Sequence, residues 1–600
     1  MKRKAAFVTI ALLLTTMVLA PAPASAATSY TWNDGSPGFW QIAGNWSPTG
    51  VPNSSNGDSA TISGSVVQLQ GNSNPSVTNL IINPGAEVET VVTSPTNYDT
   101  TFTFAKTGSG ANPTLTNNGT FTLADTGKLA RIAAANSLTI SGSGKIVMES
   151  STHSSLAGPG VIITNQAGHT IQGIGMINDL LGPAYLYNYG LVEALAGTPS
   201  DRLLILITFN NYTGGLLRSN PGAYLQLGSS SYWFAYYGLG GWLDLNGGTV
   251  NAQGVSFYSA SIRNSGAPSG TMESSLPYSS LSFYGPTTLD PGTVINFNNS
   301  GMVIGQYNSI NAIVTNNGVI NLIAPEGGYS NLGGINGHPF TLTGSGRLVL
   351  NGNGTWNAAS LGGPLTNEAN HTIAGEGTIP ALVNNGTLLA DNHDLTILGN
   401  ISGTGQVQVH DNGRLVVGKS GWVPSLTLAA KDLLMSSGGA IYVDFGSTVS
   451  LAGNFSYAMT DTSKWFWYSD DPSTLRMSGS GAQQQSLEVG GKDYGLSPDG
   501  FNNNFNLPKL NLAGSGTYVY LADDIDNGHR ASPEALYVNS LSVPTGTTLN
   551  LNRLHLYTYL SGEIHQVKRG EGDLFGHGQI IDESVKPVPI AGIINLLLLD

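Results

Sequence analysis

The chain has 600 residues, of which 10% are charged and 79 are glycine, and it has no cysteine. A typical soluble domain has about 25% charged residues, so this composition indicates a long all-β protein, and the length predicts several domains or a repeat array. The absence of cysteine excludes disulfides, thiolate metal sites and cysteine nucleophiles. The net charge of −14 argues against a nucleic-acid-binding protein, which needs a basic surface to neutralise phosphates.

The first residues have the pattern of an export signal. A basic start at residues 2–4 precedes an apolar run at residues 5–20, and Ala24-Ser25-Ala26 supplies small residues for cleavage. The alternative is an N-terminal membrane anchor, but the run is short for a bilayer, which needs about 20 residues. We therefore predict a cleaved signal peptide over residues 1–26 and a secreted protein with no transmembrane span after cleavage.

The segment from residue 71 to residue 430 is an array of short β-prone runs. Runs such as Arg347-Leu-Val-Leu350 are separated by Asn-Gly, Gly-x-Gly and Gly-Ser, and no helical apolar period is sustained. Short strands that cannot bury an apolar face alone stack coil on coil around a shared core. Glycine and asparagine suit the corners because they accept positive φ at low cost. We predict a parallel β-helix (a β-solenoid) over residues 71–430, with an array of β-sandwiches as the alternative.

An internal duplication lies within this array. The pattern Asn-x-Ala-x-His begins at Asn165 and again at Asn367, 202 residues later, and the flanking Gly-Ser-Gly and Asn-x-Gly elements recur with it. His169 and His371 are expected at equivalent corners, where a structural hydrogen bond is a simpler role than metal ligation. The two predicted copies span residues 142–194 and 344–390.

The last third of the chain differs in composition. After residue 430 the coil pattern fades and aromatic residues increase, as in Trp465-Phe-Trp-Tyr468. We expect a smaller antiparallel β domain over residues 431–582. An apolar tail follows over residues 583–600, and it is too short to cross a bilayer. The tail is expected to pack as a last strand. The alternatives are a sorting tail, a peptide that docks on a partner, and an exposed edge that promotes self-assembly.

The repeats resemble those of autotransporter-like and planctomycete-type secreted β-helical proteins. The resemblance rests on Asn165-Gln-Ala-Gly-His-Thr-Ile171, on Tyr187-Asn-Tyr-Gly-Leu-Val-Glu-Ala194 and on a tryptophan-rich segment at residues 27–70. It implies a right-handed helix whose first coil is capped by the tryptophans, and stacking of these rings on a glycan is the alternative. The tryptophans concerned are Trp32, Trp40 and Trp46.

The sequence shows no coherent catalytic group. Hydrolysis of a polysaccharide needs two facing carboxylates, and the acidic residues of the array are sparse and share no motif. We predict no catalytic and no cofactor-binding residue. The densest polar group, Asp391-Asn-His-Asp394, is expected to form a solvated corner, because adjacent residues on a strand face opposite ways.

One acidic segment, Asp523-Asp-Ile-Asp-Asn-Gly528, resembles part of a calcium loop. Ile525 at a ligand position and Pro533 later in the loop exclude the helix–loop–helix form. We expect a hairpin turn at Asn527-Gly528, with calcium bound within this turn as the alternative. The calcium ligands would be Asp523, Asp524 and Asp526.

Together these features predict a secreted structural or adhesive protein of the cell surface or extracellular matrix, with no catalytic activity. The expected partners are glycans or other surface proteins, and self-assembly is a third outcome. The alternative function is a polysaccharide-active β-helix enzyme, either a lyase or a glycoside hydrolase, because one fold can host many activities. Two carboxylates, or a carboxylate with a basic residue, converging in one groove would favour that alternative.

Overall fold

The computed structural model describes residues 26–585 except for a set of short internal segments. Residues 1–25 of the predicted signal peptide and residues 586–600 of the predicted apolar tail therefore lie outside the described residues. In the described part, the regular elements are β-strands and short 3-10 helices, and none of its helices is long and apolar enough to cross a membrane. The internal segments left out are 34, 72–73, 92–98, 179–183, 196–197, 230–233, 268, 275–279, 306–311, 326–327, 335–336, 353–358, 419–424, 481–483 and 529–533.

The strands form three stacks, which are named face 1, face 2 and face 3 in the order that the chain visits them. Each strand pairs in parallel with the strand of the same face in the next coil, so that Leu80 lies beside Leu115 and Leu115 beside Ile140. The predicted all-β parallel β-helix is therefore confirmed. Its right-handedness stays a prediction.

Face 1 consists of Ser29–Trp32, Ser59–Ile62, Asn79–Ile82, Thr114–Asn117, Leu138–Ser141, Ile162–Asn165, Tyr185–Asn188, Thr208–Tyr212, Phe234–Leu239, Val255–Tyr258, Ser280–Tyr284, Gly301–Gly305, Ser330–Gly334, Ala359–Gly362, the end of Thr372–Ile379, His393–Ile397, Gly413–Val417, Ala440–Val443 and Trp465–Trp467. Face 2 consists of Gly38–Phe39, Val66–Gln70, Glu87–Val91, Thr120–Leu123, Lys145–Glu149, the start of Thr170–Asn178, Leu191–Ala194, Leu216–Ser219, Trp242–Asp244, Ser261–Arg263, Thr287–Leu289, Ala312–Asn316, Phe340–Thr343, Leu365–Asn367, Leu382–Asn384, Ile401–Ser402, Thr427–Ala430, Thr448–Leu451, Thr474–Met477, Leu507–Leu512, Glu534–Ser542 and His555–Leu560. Face 3 consists of Ser76–Val77, Thr100–Phe104, Ala130–Ala134, Ser154–Ala157, the end of Thr170–Asn178, Leu203–Ile205, Tyr224–Leu227, Thr249–Ala252, Thr271–Ser274, Val294–Asn298, Val319–Ile323, Arg347–Asn351, the start of Thr372–Ile379, Thr387–Ala390, Gln406–Val409, Leu433–Met435, Phe455–Tyr457, Gln484–Glu488, Tyr518–Ala522, Thr548–Asn550 and Gln579–Ile581. Three further short strands, Trp46–Ser47, Gly491–Lys492 and Glu563–Gln566, pair antiparallel, and the 3-10 helices are Ala43–Asn45, Ser54–Asn56, Thr462–Lys464, Pro498–Phe501 and Gly572–Phe575.

The inward-facing residues of the three faces form one continuous apolar core. Side chains alternate between inside and outside along each strand, and residues at the same register stack from coil to coil. On face 2, for example, Val88, Phe121 and Ile146 occupy one register position in successive coils and are fully buried. Burying a side chain of this size contributes about 1.5–3 kcal/mol relative to exposing it, so stacking is what stabilises each coil.

A buried hydrogen-bonded ladder lines the corner between faces 1 and 2. Asn165 donates to the Oδ1 of Asn188 over 2.8 Å, and Asn188 donates to the Oδ1 of Asn211 over 2.9 Å. His169 joins the ladder to the coil two steps earlier, because its ring nitrogens contact Asn165 at 2.8 Å and Asn117 at 3.2 Å. All five side chains are fully buried, so the ladder satisfies backbone and side-chain polar groups inside the corner.

The second copy of the duplication forms the same ladder on a different corner. His371 contacts Asn367 at 2.7 Å and Asn316 at 3.1 Å, and Asn367 donates to Asn384 over 2.8 Å. However, Asn165 ends a strand of face 1, whereas Asn367 ends a strand of face 2. The two copies therefore share local geometry but are displaced around the helix axis by one face.

The parallel stacks continue into the C-terminal third, where we expected a smaller antiparallel β domain. Val449 pairs in parallel with Leu475, and Leu475 pairs in parallel with Leu510. Antiparallel pairing in residues 431–582 of the described chain is confined to the additions at Gly491–Lys492 and Glu563–Gln566 and to one isolated bridge. The prediction of a separate domain was wrong because it interpreted the aromatic enrichment after residue 430 as a change of fold. The rings of Phe455, Tyr457 and Trp465 instead pack against each other in the core of the β-helix.

Candidate functional site

The three N-terminal tryptophans are buried at the first coil. Trp32, Trp40 and Trp46 are 5%, 1% and 1% exposed, and Trp46 packs edge-to-face on both of the others with ring centroids 4.9 and 4.7 Å apart. Trp40 continues into the core by contacting Phe102 at 5.0 Å. This is the packing that a cap requires, and buried rings cannot stack on a sugar.

Exposed aromatic residues instead form a row on face 1, which is called the tyrosine ladder. At one register position, Tyr237 lies beside Tyr258 and Tyr258 beside Tyr284 in successive coils. Their rings are nearly parallel, with centroids 4.4 and 4.9 Å apart, because parallel strands are about 4.8 Å apart. Four tyrosines of the preceding coils extend the ladder, namely Tyr185, Tyr187, Tyr189 and Tyr212. Tyr187 shares the register position of Tyr237, but Asn210 lies between them. Tyr189 and Tyr212 stack at 4.5 Å two residues further along the chain.

The tyrosine ladder is neutral and outward-facing. The five face 1 strands that carry it read YLYN, TFNNY, FAYYGL, VSFY and SLSFY, without a charged residue. The ladder residues are half-buried, and Tyr185 is 39% exposed. Since stacked rings cover each other's faces, the surface shows ring edges and hydroxyl groups, which can donate and accept hydrogen bonds. The ladder spans four coil steps, or about 19 Å.

A groove of about 480 Å³ lies in the second copy of the duplication. It brings together Arg347, Glu376, Asp391 and His393, with the Nη2 of Arg347 3.9 Å from the Oδ2 of Asp391. Asn392 and His393 have φ values of 57° and 113°, so the corner turns through a conformation that is strained for residues other than glycine. Asp391 and Asn392 form the corner, whereas His393 and Asp394 begin the face 1 strand His393–Ile397, so the expected corner covers only half of the segment. The sequence did not indicate that this segment borders a groove with Arg347 and Glu376.

The predicted calcium ligands lie in the crossing from face 3 to face 2. Only Asp523 joins a cluster, with Glu488 and Glu534, in which one carboxylate oxygen of each residue lies within 4.8 Å of the others. The segment is not the hairpin that we expected, because its two flanking strands do not pair with each other. Tyr518–Ala522 pairs with a strand of face 3, and Glu534–Ser542 pairs with a strand of face 2. Sequence reasoning missed Glu488, which lies beside Ala522 only because of the coil register.

Burial dominates the electrostatics of this cluster. It raises the pKa of Glu488 to about 9, with further increases from Asp524 and Asp523. It raises the pKa of Glu534 to about 8, with contributions from Asp523 and Asp526. The pKa of the Asp524 carboxyl is also raised, by burial and by Asp523. Several acidic groups therefore compete for protons in one small volume.

No protein-family model, curated protein or solved structure matches the chain. The class of the protein therefore follows from its fold, which is that of a three-sided parallel β-helix with three buried tryptophans at its first coil. Among the described residues, the tyrosine ladder and the groove on the surface and the largely buried acidic cluster are features that can carry a function.

Proposed function

We propose that the protein is a secreted, non-catalytic adhesive protein that binds neutral glycan chains along the tyrosine ladder. The observation that carries this proposal is the repetition of one group at one register position: Tyr237, Tyr258 and Tyr284 present their ring edges and hydroxyls in line along the helix axis. A chain molecule lying along this axis meets the same group at each of these three coils. The resemblance to secreted β-helical repeat proteins and the predicted export signal support the extracellular location.

The chemistry of the ladder favours a neutral polysaccharide over a charged partner. The ladder strands have no charged side chain, so an anionic or cationic chain gains no ion pair there. Tyrosine combines an apolar ring with a hydroxyl, a combination that suits a ligand with apolar and hydroxylated surfaces. Many weak contacts along one polysaccharide chain give a high overall affinity without a deep pocket. Once the first contact has formed, each further contact forms within the same complex and costs less entropy.

The test is binding of the purified mature protein to neutral polysaccharides, namely cellulose, chitin and xylan, in a pull-down and in affinity electrophoresis. The triple variant Tyr237→Ala, Tyr258→Ala and Tyr284→Ala should bind at least about tenfold more weakly, a loss of about 1.4 kcal/mol or more. Tyrosine-to-phenylalanine changes at the same positions keep the rings and isolate the hydroxyl contribution.

Tyr442→Ala is the matched control. Tyr442 also lies on face 1 and stacks on Phe466 at 4.6 Å, but it is outside the ladder, so its removal should leave binding unchanged. Equal binding by the wild type and the triple variant, with circular dichroism showing both folded, would contradict the ladder as the binding surface.

The groove favours a second candidate function, that of a polysaccharide-active enzyme. It places Asp391 and Glu376 beside Arg347, and a carboxylate with a basic residue in one groove is what a lyase or hydrolase needs. At the equivalent positions of the first copy, Glu376 corresponds to Ile174, so the acidic groove is not a general feature of the repeat. Release of reducing or unsaturated ends from acidic and neutral polysaccharides, abolished by Asp391→Asn, would replace the adhesive function by this one.

A further inference from the structure

Three acidic side chains from two successive coils meet at the end of face 3. Glu488 ends the strand Gln484–Glu488, Asp523 follows the next strand of the same face, and Glu534 begins the strand of face 2 after the crossing. The backbone N–H of Ile525 donates to the Oε1 of Glu488 over 3.0 Å, and that of Asn527 donates to the Oε1 of Glu534 over 2.8 Å. Backbone N–H groups of the crossing therefore donate a hydrogen bond to one carboxylate oxygen of each glutamate.

The second oxygen of Glu534 has no such partner. Glu534 is 3% exposed, and its Oε2 is buried without a hydrogen-bond donor. In the same crossing, the Oδ1 of Asn527 is also buried without a donor, and the amide orientation is fixed because its Nδ2 donates to the carbonyls of Tyr457 and Met459. A buried acceptor without a donor is costly, and more so when it is charged.

No positive side chain compensates this charge in the described part of the chain. None of its ion pairs involves Glu488, Asp523 or Glu534. Asp524 adds further negative charge beside Glu488. A cluster of this kind needs either shared protons or a bound cation.

We propose that Glu488, Asp523 and Glu534 bind one Ca²⁺ ion, which fastens the crossing at residues 523–528 to the last coils of the β-helix. Ca²⁺ takes oxygen ligands at about 2.3–2.6 Å, so oxygens around one ion lie up to about 5 Å apart. The three carboxylate oxygens lie within 4.8 Å of one another. An all-oxygen donor set selects a hard cation over zinc or copper. Ca²⁺ accepts flexible coordination by carboxylates, whereas Mg²⁺ demands a near-ideal octahedron and dehydrates reluctantly.

The experiment is calorimetric titration of the chelator-treated full-length mature protein with CaCl2 up to about 10 mM at pH 7.5, alongside thermal unfolding. This concentration exceeds the weak end of extracellular calcium affinities, about 10⁻³ M. We expect one ion per chain and a rise in the unfolding temperature. Asp523→Asn should weaken binding at least tenfold without affecting folding, because Asp523 is exposed. Asp470→Asn, an exposed change of equal charge, is the control and should bind as the wild type does.

Glu534→Gln distinguishes the cation from shared protons. Without calcium this variant should unfold at a higher temperature than the wild type, because glutamine avoids the cost of either burying the carboxylate as an anion or protonating it on folding. Calcium should not raise the unfolding temperature of the variant further. The proposal is overturned if the wild type takes up no calcium under these conditions, or if Asp523→Asn binds it with unchanged affinity. It is also overturned if acidification stabilises the wild type while calcium adds nothing, since protons alone then satisfy the cluster.

Discussion

Lowering the pH from 7 to 5 is expected to open the corner that contains His169. The Nε2 of His169 accepts from the Nδ2 of Asn117, whose orientation is fixed because its Oδ1 accepts from the N–H of Gly119. The Nδ1 of His169 donates to Asn165, an assignment that follows from the hydrogen-bond network. A second proton would place an N–H on Nε2, facing the donor of Asn117. The folded corner therefore accepts only the neutral ring.

The magnitude follows from the pKa of the ring. Burial lowers the pKa of His169 to about 4 from 6.5. The open state therefore binds more protons than the folded state between these values, so stability is unaffected well above pH 6.5 and falls as the pH drops through 6.5 towards 4. Between pH 7 and pH 5 this linkage increases the opening constant about 20-fold, which is about 2 kcal/mol.

Hydrogen exchange read by mass spectrometry measures this opening locally, which matters because long repeat arrays need not unfold in one step. Peptides covering residues 162–174 are compared at pH 5 and pH 7 after correction for the intrinsic exchange rate, in the wild type and in His169→Gln. The variant should lose the extra pH dependence. His371, whose pKa is also lowered to about 4 by burial, provides an internal control that should keep it. The same pH dependence at residues 162–174 in both proteins would refute the argument.

Three further changes test the packing and the charge of the helix. Gly144→Ala should destabilise the protein by several kcal/mol in thermal unfolding, because the new Cβ would overlap the carbonyl oxygen of Gly119, whereas Gly44→Ala, which meets nothing within 4 Å, should be neutral. Phe257→Ala removes a fully buried ring that stacks on Phe283 and contacts Tyr236. It should cost about 3–5 kcal/mol, measured as faster hydrogen exchange in its coil. Glu488→Gln should flatten the pH dependence of the unfolding temperature measured in chelator. The pKa of Glu488 is raised to about 9 in the folded protein, so the wild type loses stability as the pH rises from the pKa of an unfolded glutamate towards 9.

The β-helix could be predicted because its determinants are local. Alternating apolar residues define each strand, and the asparagine at the end of a strand defines a corner, as Asn165 and Asn188 do within their own few residues. The histidine–asparagine ladder is also encoded within short segments, so the structural role expected of His169 and His371 follows from the repeat itself.

The functional surfaces could not be predicted because they depend on which residues lie over each other. Tyr237 lies over Tyr258 after 21 residues, but Tyr258 lies over Tyr284 after 26, since coils differ in loop length. The same variation in coil length made the proximity of Glu488 and Asp523 impossible to predict from the sequence. Coil lengths that vary this much leave no fixed period in the sequence, so a row of outward side chains becomes visible only when the register is known.

The displacement of the duplicated unit by one face has a consequence for how such chains can lengthen. A segment that begins and ends at corners can be inserted without completing a turn, because two different corners accept the same pair of asparagine and histidine. Asn165 and His169 lie at the corner between faces 1 and 2, and Asn367 and His371 lie at the corner between faces 2 and 3. Each such insertion rotates everything that follows by a third of a turn. Duplication within one gene therefore places copies of one binding surface on different faces of the same β-helix. Such a protein binds ligand chains on several sides and cross-links them, whereas copies that all lie on one face bind ligand chains on that side only.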